Sequence, residues 1–79
     1  MQTGRLAVGV DVGATKIAAV LADDEGRTVR ELRRLTEPER GATAVIHTIA
    51  AMIQELVAQA PAPVAGIGLD TPGQVNPAD

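Results

Sequence analysis

Eight residues, Gly9-Val10-Asp11-Val12-Gly13-Ala14-Thr15-Lys16, join two apolar runs, Leu6 to Val10 and Ile17 to Ala22. The turn between the runs holds one carboxylate, one hydroxyl, one ammonium and a glycine. Two strands connected by a polar loop are predicted, and the unbroken apolar character of the strands predicts burial on both faces. Backbone N–H groups then become available to an anion only in the loop, which is therefore a candidate phosphate site.

What surrounds this stretch limits the rest. With 79 residues, the chain is at most one domain and buries only about two-thirds of the surface its unfolded form exposes. Hydrophobic residues make up 46% of the chain, yet it has no Phe, Tyr or Trp. The core must be built from Ala, Val, Ile and Leu, with Met52 as gap-filler, a set that suits closely packed helix-on-sheet layers. A net charge of -3 supplies no footprint for nucleic acid or an anionic membrane. The absence of cysteine excludes disulfides and thiolate metal sites. No apolar stretch approaches the ~20 residues of a membrane span, and the amino terminus lacks a signal-peptide pattern, so a cytoplasmic location is expected.

In chain order, Arg5 to Val12 and Thr15 to Asp23 read as the first two strands. Asp23-Asp24-Glu25-Gly26 reads as a turn, entered through Asp23 and completed by Gly26. Its acidic cluster lacks the alternating ligand spacing of a calcium loop. From Arg27 to Thr36 the signals conflict: Val29, Leu32 and Leu35 recur every third residue, whereas Thr28 and Val29 favour a strand. A twisted or bulged edge strand reconciles them, kept soluble by Arg27, Arg30, Arg33 and Arg34. Without interleaved aromatics, these arginines read as a solvated face rather than a nucleic-acid patch.

After the punctuation of Glu37-Pro38-Glu39-Arg40-Gly41, Ala42, Val45, Ile46, Ile49, Met52, Ile53, Leu56 and Val57 share one helical face. Pro61 and Pro63 end that helix. His47 stands alone on its polar side, without ligand-spaced partners, and reads as a solvated residue. Val64-Ala65-Gly66-Ile67-Gly68-Leu69 is a fourth apolar strand, whose glycines would let another backbone or a ligand approach. The order is β-β-β-α-β: an antiparallel meander, then a helical crossover to a strand parallel to the first. Asp11 and Thr71 then fall at the carboxyl ends of adjacent parallel strands, where open α/β sheets place ligands.

Two common phosphate motifs fail. For G-x-G-x-x-G, Thr71 stands where a third glycine should follow Gly66 and Gly68, and no helix follows Gly9 or Gly13. Gly68 to Gly73 has the glycine spacing of a Walker loop, but Gln74 replaces its lysine and Pro72 removes an amide.

The pattern Gly9-x-Asp11-x-Gly13-x-Thr15-Lys16 is similar to the first phosphate motif of the actin-like ATPase and sugar-kinase superfamily. Val8 to Val20, the helix after Gly41, and Gly66-Ile-Gly-Leu-Asp-Thr-Pro-Gly-Gln-Val75 together resemble the amino-terminal lobe of the ROK family of repressors and sugar kinases. Two positions depart from that pattern: Ala14 stands where many members have a second glycine, and Asp70 where glycine is frequent.

The resemblance implies a ribonuclease H-like, actin-like ATPase lobe and glucokinase-like phosphoryl transfer from Mg-ATP to a hexose. By it, Asp11 would face the water shell of the magnesium ion. Gly13, Ala14 and Thr15 would meet the terminal phosphates of ATP. Lys16 either adds a point charge or merely decorates its strand. Thr71, Pro72 and Gly73 either border the sugar and phosphoryl-transfer cleft or form a strand-ending turn.

The general base, the sugar-binding residues and any zinc ligands would lie outside this chain. Residues 1–79 are thus expected to be an amino-terminal part of the nucleotide-binding lobe, inactive alone. The alternatives are a ROK-type repressor, disfavoured because only eight residues precede Gly9, and a non-catalytic, sugar-sensing or associative module. Sugar and ATP are the expected partners, nucleic acid and membrane are not, and the bare edge of strand 64–69 is expected to support homo-oligomers.

Overall fold

The computed structural model of the protein describes residues 5–70. The two apolar runs form β1 (Leu6–Val12) and β2 (Lys16–Asp23), which pair antiparallel from Leu6 with Asp23 to Val12 with Ile17. The Asp23 turn has the anticipated chemistry: its backbone carbonyl accepts the Gly26 N–H at 3.0 Å, and Gly26 takes φ 82°, the left-handed region that glycine adopts readily. β3 (Thr28–Leu35) pairs antiparallel with β2 and forms one edge of the sheet. Leu21 faces Arg30 while Ala22 faces Thr28, so Val29 is bulged out of the ladder. The bulge breaks the strand period between Val29 and Leu32, whereas Leu35, opposite Lys16, lies on the other face from Leu32 and is exposed.

At the end of β3, Glu37 adopts φ 50° and a short 3-10 turn, Pro38–Arg40, follows. Gly41, at φ 99°, leads into α1 (Ala42–Gln59), which stops short of Pro61. β4 (Val64–Asp70) then returns parallel to β1, and the sheet order is β3-β2-β1-β4. The β-β-β-α-β order, the meander and the parallel fourth strand are all as the sequence predicts.

The core is one layer thick. Leu6, Val8, Val10, Ile17, Ala19 and Leu21 project from one sheet face onto Met52 and Leu56 of α1, and all eight are buried. Met52 fills the gap between sheet and helix, as expected. At ~25 cal/mol per Å² of apolar area removed from water, these side chains other than Ala19 stabilise by about 1.5–3 kcal/mol each.

The expectation of burial on both faces is not met among the described residues. On the face opposite α1, Ala7 and Asp11 are exposed and Gly9, Ala18, Val20 and Ala22 are only half-buried. The chain has one long helix among its described residues, and one helix covers one face. Nor does any described residue approach the β4 glycines, since a Cβ at Gly66 or Gly68 would meet no described atom within 4 Å.

The helical face is also narrower than its apolar pattern. Ile46 and Val57 are 60% and 43% exposed, and Ala42 is exposed. α1 lies over β2, β3 and β1, so residues on the flank of its stripe extend beyond the sheet contact. Arg34 of β3 reaches Glu55 of α1 at 3.2 Å. Both side chains are partly exposed, and such a pair contributes about 0–1 kcal/mol. No helix among the described residues is long and apolar enough to cross a membrane.

Candidate functional site

The loop between β1 and β2 is a two-residue hairpin connection closed in an uncommon way. Gly13 donates its N–H to the Lys16 carbonyl at 2.9 Å. The reciprocal bond, from the Lys16 N–H to the Gly13 carbonyl, is not made. That carbonyl instead accepts the Thr36 hydroxyl at 2.8 Å, and the Thr36 N–H donates to the Thr15 carbonyl at 2.8 Å. Gly13 has a negative φ, so its need for glycine is steric: a Cβ there would lie 3.1 Å from the Lys16 carbonyl oxygen. The Ala14, Thr15 and Lys16 side chains are exposed.

Strand alternation directs the carboxylate. Val10 points into the core, and Asp11 projects from the helix-free face, exposed, at the carboxyl end of β1. In register it faces Ala18 of β2 on one side and Asp70 of parallel β4 on the other. With Gly9, Val10, Ala18, Val20, Gly68 and Leu69 it lines a shallow groove of about 470 Å³. The small residues of this face keep the groove open to a ligand or another layer of chain.

Asp11 and the loop are neighbours along the strand, but they border different hollows. Ala14 and Thr15 line a second one, of about 440 Å³, together with Leu35, Glu37, Pro38 and Glu39. Lys16 lines a third with Arg33, Arg34 and Leu35. Arg33 already meets Glu31 at 2.9 Å and Arg34 meets Glu55 at 3.2 Å, so this basic cluster is compensated within the chain. Thr71, Pro72 and Gly73 lie outside the described residues.

Among the described residues, no three His, Asp or Glu side chains converge on one point as a metal cage. One exposed carboxylate, that of Asp11, is compatible with a hard cation that keeps its water and is met through that water shell. The sequence reading overlooked Thr36, taken only as the end of β3. The available signal was a hydroxyl residue directly after an arginine-rich strand, immediately before the Glu-Pro punctuation.

Comparison with known proteins bears on the family and the fold. The Thermotoga maritima glucokinase is 35% identical over 69 residues, covering 87% of this chain and 21% of that protein. The ROK family glucokinase from Streptomyces griseus, solved with glucose and AMPPNP, superposes with a TM-score of 0.76 at 33% identity, over 89% of this chain and 21% of that one. The gluconate kinase from Lactobacillus acidophilus shares the fold, with a TM-score of 0.73 at 19% identity over 87% of this chain and 16% of that one. The chain thus spans about a fifth of the length of these relatives. The sheet and helix are those of an actin-like ATPase lobe, and a sequence model of the ROK family matches residues 7–79. On these grounds the chain belongs to the ROK family.

Proposed function

We propose that this chain is the amino-terminal part of the nucleotide-binding lobe of a cytoplasmic, ATP-dependent hexose kinase of the glucokinase type. The observation that carries this reading is Asp11, exposed at the carboxyl end of β1 beside parallel β4, two residues before a glycine loop held open by Thr36. The Streptomyces griseus relative, 33% identical, was solved with glucose and AMPPNP, which supports a sugar and an adenine nucleotide as ligands here.

In this reading Asp11 accepts hydrogen bonds from water on a magnesium ion. The bound ion would neutralise charge on the β- and γ-phosphates. The Ala14 and Thr15 amides, with the Thr15 hydroxyl, would receive the terminal phosphates; the Gly13 N–H is held by the Lys16 carbonyl, so Gly13 serves by shaping the loop, and Lys16 adds positive charge nearby. Thr71, Pro72 and Gly73, which lie outside the described residues, are the candidates to border the cleft in which the sugar hydroxyl would meet the γ-phosphate. A general base must take the proton of that hydroxyl, and none of the residues assigned here does so. Residues 1–79 alone are therefore expected to show no turnover of hexose and ATP.

The test is a titration of Mg-ATP into a family-length protein carrying this chain, with and without Asp11→Ala. Affinity should fall about tenfold or more in the variant, the loss of a charge-assisted contact. Unchanged affinity would remove Asp11 from the metal site, and hexose phosphorylation by residues 1–79 alone would refute the partial-site reading.

A further inference from the structure

Thr36 is the only buried polar residue among those described, at 6% exposure. It lies 23 residues from Gly13 in sequence, yet both of its donors are used on the loop: the hydroxyl on the Gly13 carbonyl and the N–H on the Thr15 carbonyl, each at 2.8 Å. The described chain has no cis peptide bonds. In a trans peptide the C=O and the following N–H point in opposite directions. The Gly13 carbonyl shares its peptide plane with the Ala14 N–H, and the Thr15 carbonyl shares its plane with the Lys16 N–H. Pulling both carbonyls toward Thr36 therefore turns the Ala14 and Lys16 N–H groups away from it.

An ordinary hairpin would turn the Lys16 N–H inward onto the Gly13 carbonyl. By occupying that carbonyl, the Thr36 hydroxyl replaces the inward bond. Neither the Ala14 nor the Lys16 N–H has a loop or turn acceptor among the described residues. Two N–H groups on alternate peptides and on one side of a turn form an anion-binding concavity.

We propose that Thr36 is a positioning residue for phosphate: it aims the Ala14 and Lys16 amides at the terminal phosphates of the nucleotide. The inference rests on the nucleotide reading of the loop. It assigns the hydroxyl of Thr36, rather than its bulk, to that task. A buried hydroxyl removed from its partner leaves the Gly13 carbonyl unsatisfied and its peptide free to rotate.

The test compares Thr36→Val, Thr36→Ser and Asp11→Ala with the unaltered family-length protein, in Mg-ATP titrations at a temperature where each is folded. Thr36→Val should bind about tenfold more weakly, while Thr36→Ser, which keeps the hydroxyl, should bind within about twofold of the parent. A purely space-filling role predicts the reverse order, because Val keeps the shape and Ser does not. Mg-ATP binding by Thr36→Val as tight as the parent's, with Asp11→Ala impaired, overturns the role of Thr36 and leaves the loop reading standing. No binding of Mg-ATP by the parent overturns the loop reading and this inference with it. Should Thr36→Val not fold, amide resonances of the unaltered protein decide. The Ala14 and Lys16 amides should move most on adding Mg-ATP, and shifts confined to other residues would refute the assignment.

Discussion

The Gly13 N–H reaches the Lys16 carbonyl at 2.9 Å, and a side chain at position 13 would meet that same oxygen at 3.1 Å. The two facts are linked, because the bond draws the oxygen over the place where a Cβ would stand. Gly13→Ala would gain about 0.4–1 kcal/mol from a less disordered unfolded chain. It would also push the Lys16 peptide outward, which costs a comparable amount. We expect the melting temperature to change by only a few degrees, whereas Mg-ATP affinity in the family-length protein should drop about tenfold as the amides are displaced. Thermal unfolding and a nucleotide titration on one preparation check both halves, and parallel loss of stability with undiminished affinity would disprove this account of Gly13.

Acid should weaken the turn at Asp23. Its carboxylate accepts the Arg27 N–H at 2.9 Å and the Glu25 N–H at 2.9 Å, and its second oxygen meets the Arg27 guanidinium at 3.1 Å. The Arg27 backbone bond is the main reason the carboxyl titrates below its usual range. A group whose pKa is depressed by folding contributes stability above its unfolded pKa, near 4, and loses that contribution as pH falls through the folded value. Asp23→Asn should be less stable than the parent at pH 7, and the two should converge as pH falls below about 4. Melting curves between pH 7 and pH 2.5 test this, and a constant gap across the range would show that the charge is immaterial.

Association is expected along β4. On its helix side Ile67 and Leu69 are 57% and 63% exposed, in register with buried Val8 and Val10. α1 lies over the other three strands, and β4 is an edge of the described sheet. An apolar edge strand with free N–H and C=O groups pairs with whatever strand is available. The 79-residue chain should therefore sediment as dimers or larger species at high concentration, and Leu69→Lys should shift it toward monomer. A parent chain that stays monomeric throughout would count against this.

Much of the architecture is local in origin and was legible before any coordinates. The apolar runs flanking Gly9 to Lys16, the Asp23-to-Gly26 turn, the helical period from Ala42 and the stop at Pro61 each depend on residues a few positions apart. So does the conflict between Val29 and Leu32, which the structure resolves as a bulge. The family motif around Asp11 was legible for the same reason, since its spacing is carried by one hairpin.

Docking between distant elements was not legible. Ile46 and Val57 fit the apolar face of α1 as well as Met52 does, yet only Met52 is buried, because the position of the helix over β1 to β3 decides which part of the stripe meets the sheet. Continuous apolar strands likewise predicted two covered faces, whereas a single described helix covers one. The Thr36 hydroxyl reaches the Gly13 carbonyl only because β3 pairs beside β2 and brings the end of one strand to the start of the next. Periodicity assigns a residue to an element and a face; the packing of elements chooses its partner, since that choice is made by contacts across many intervening residues.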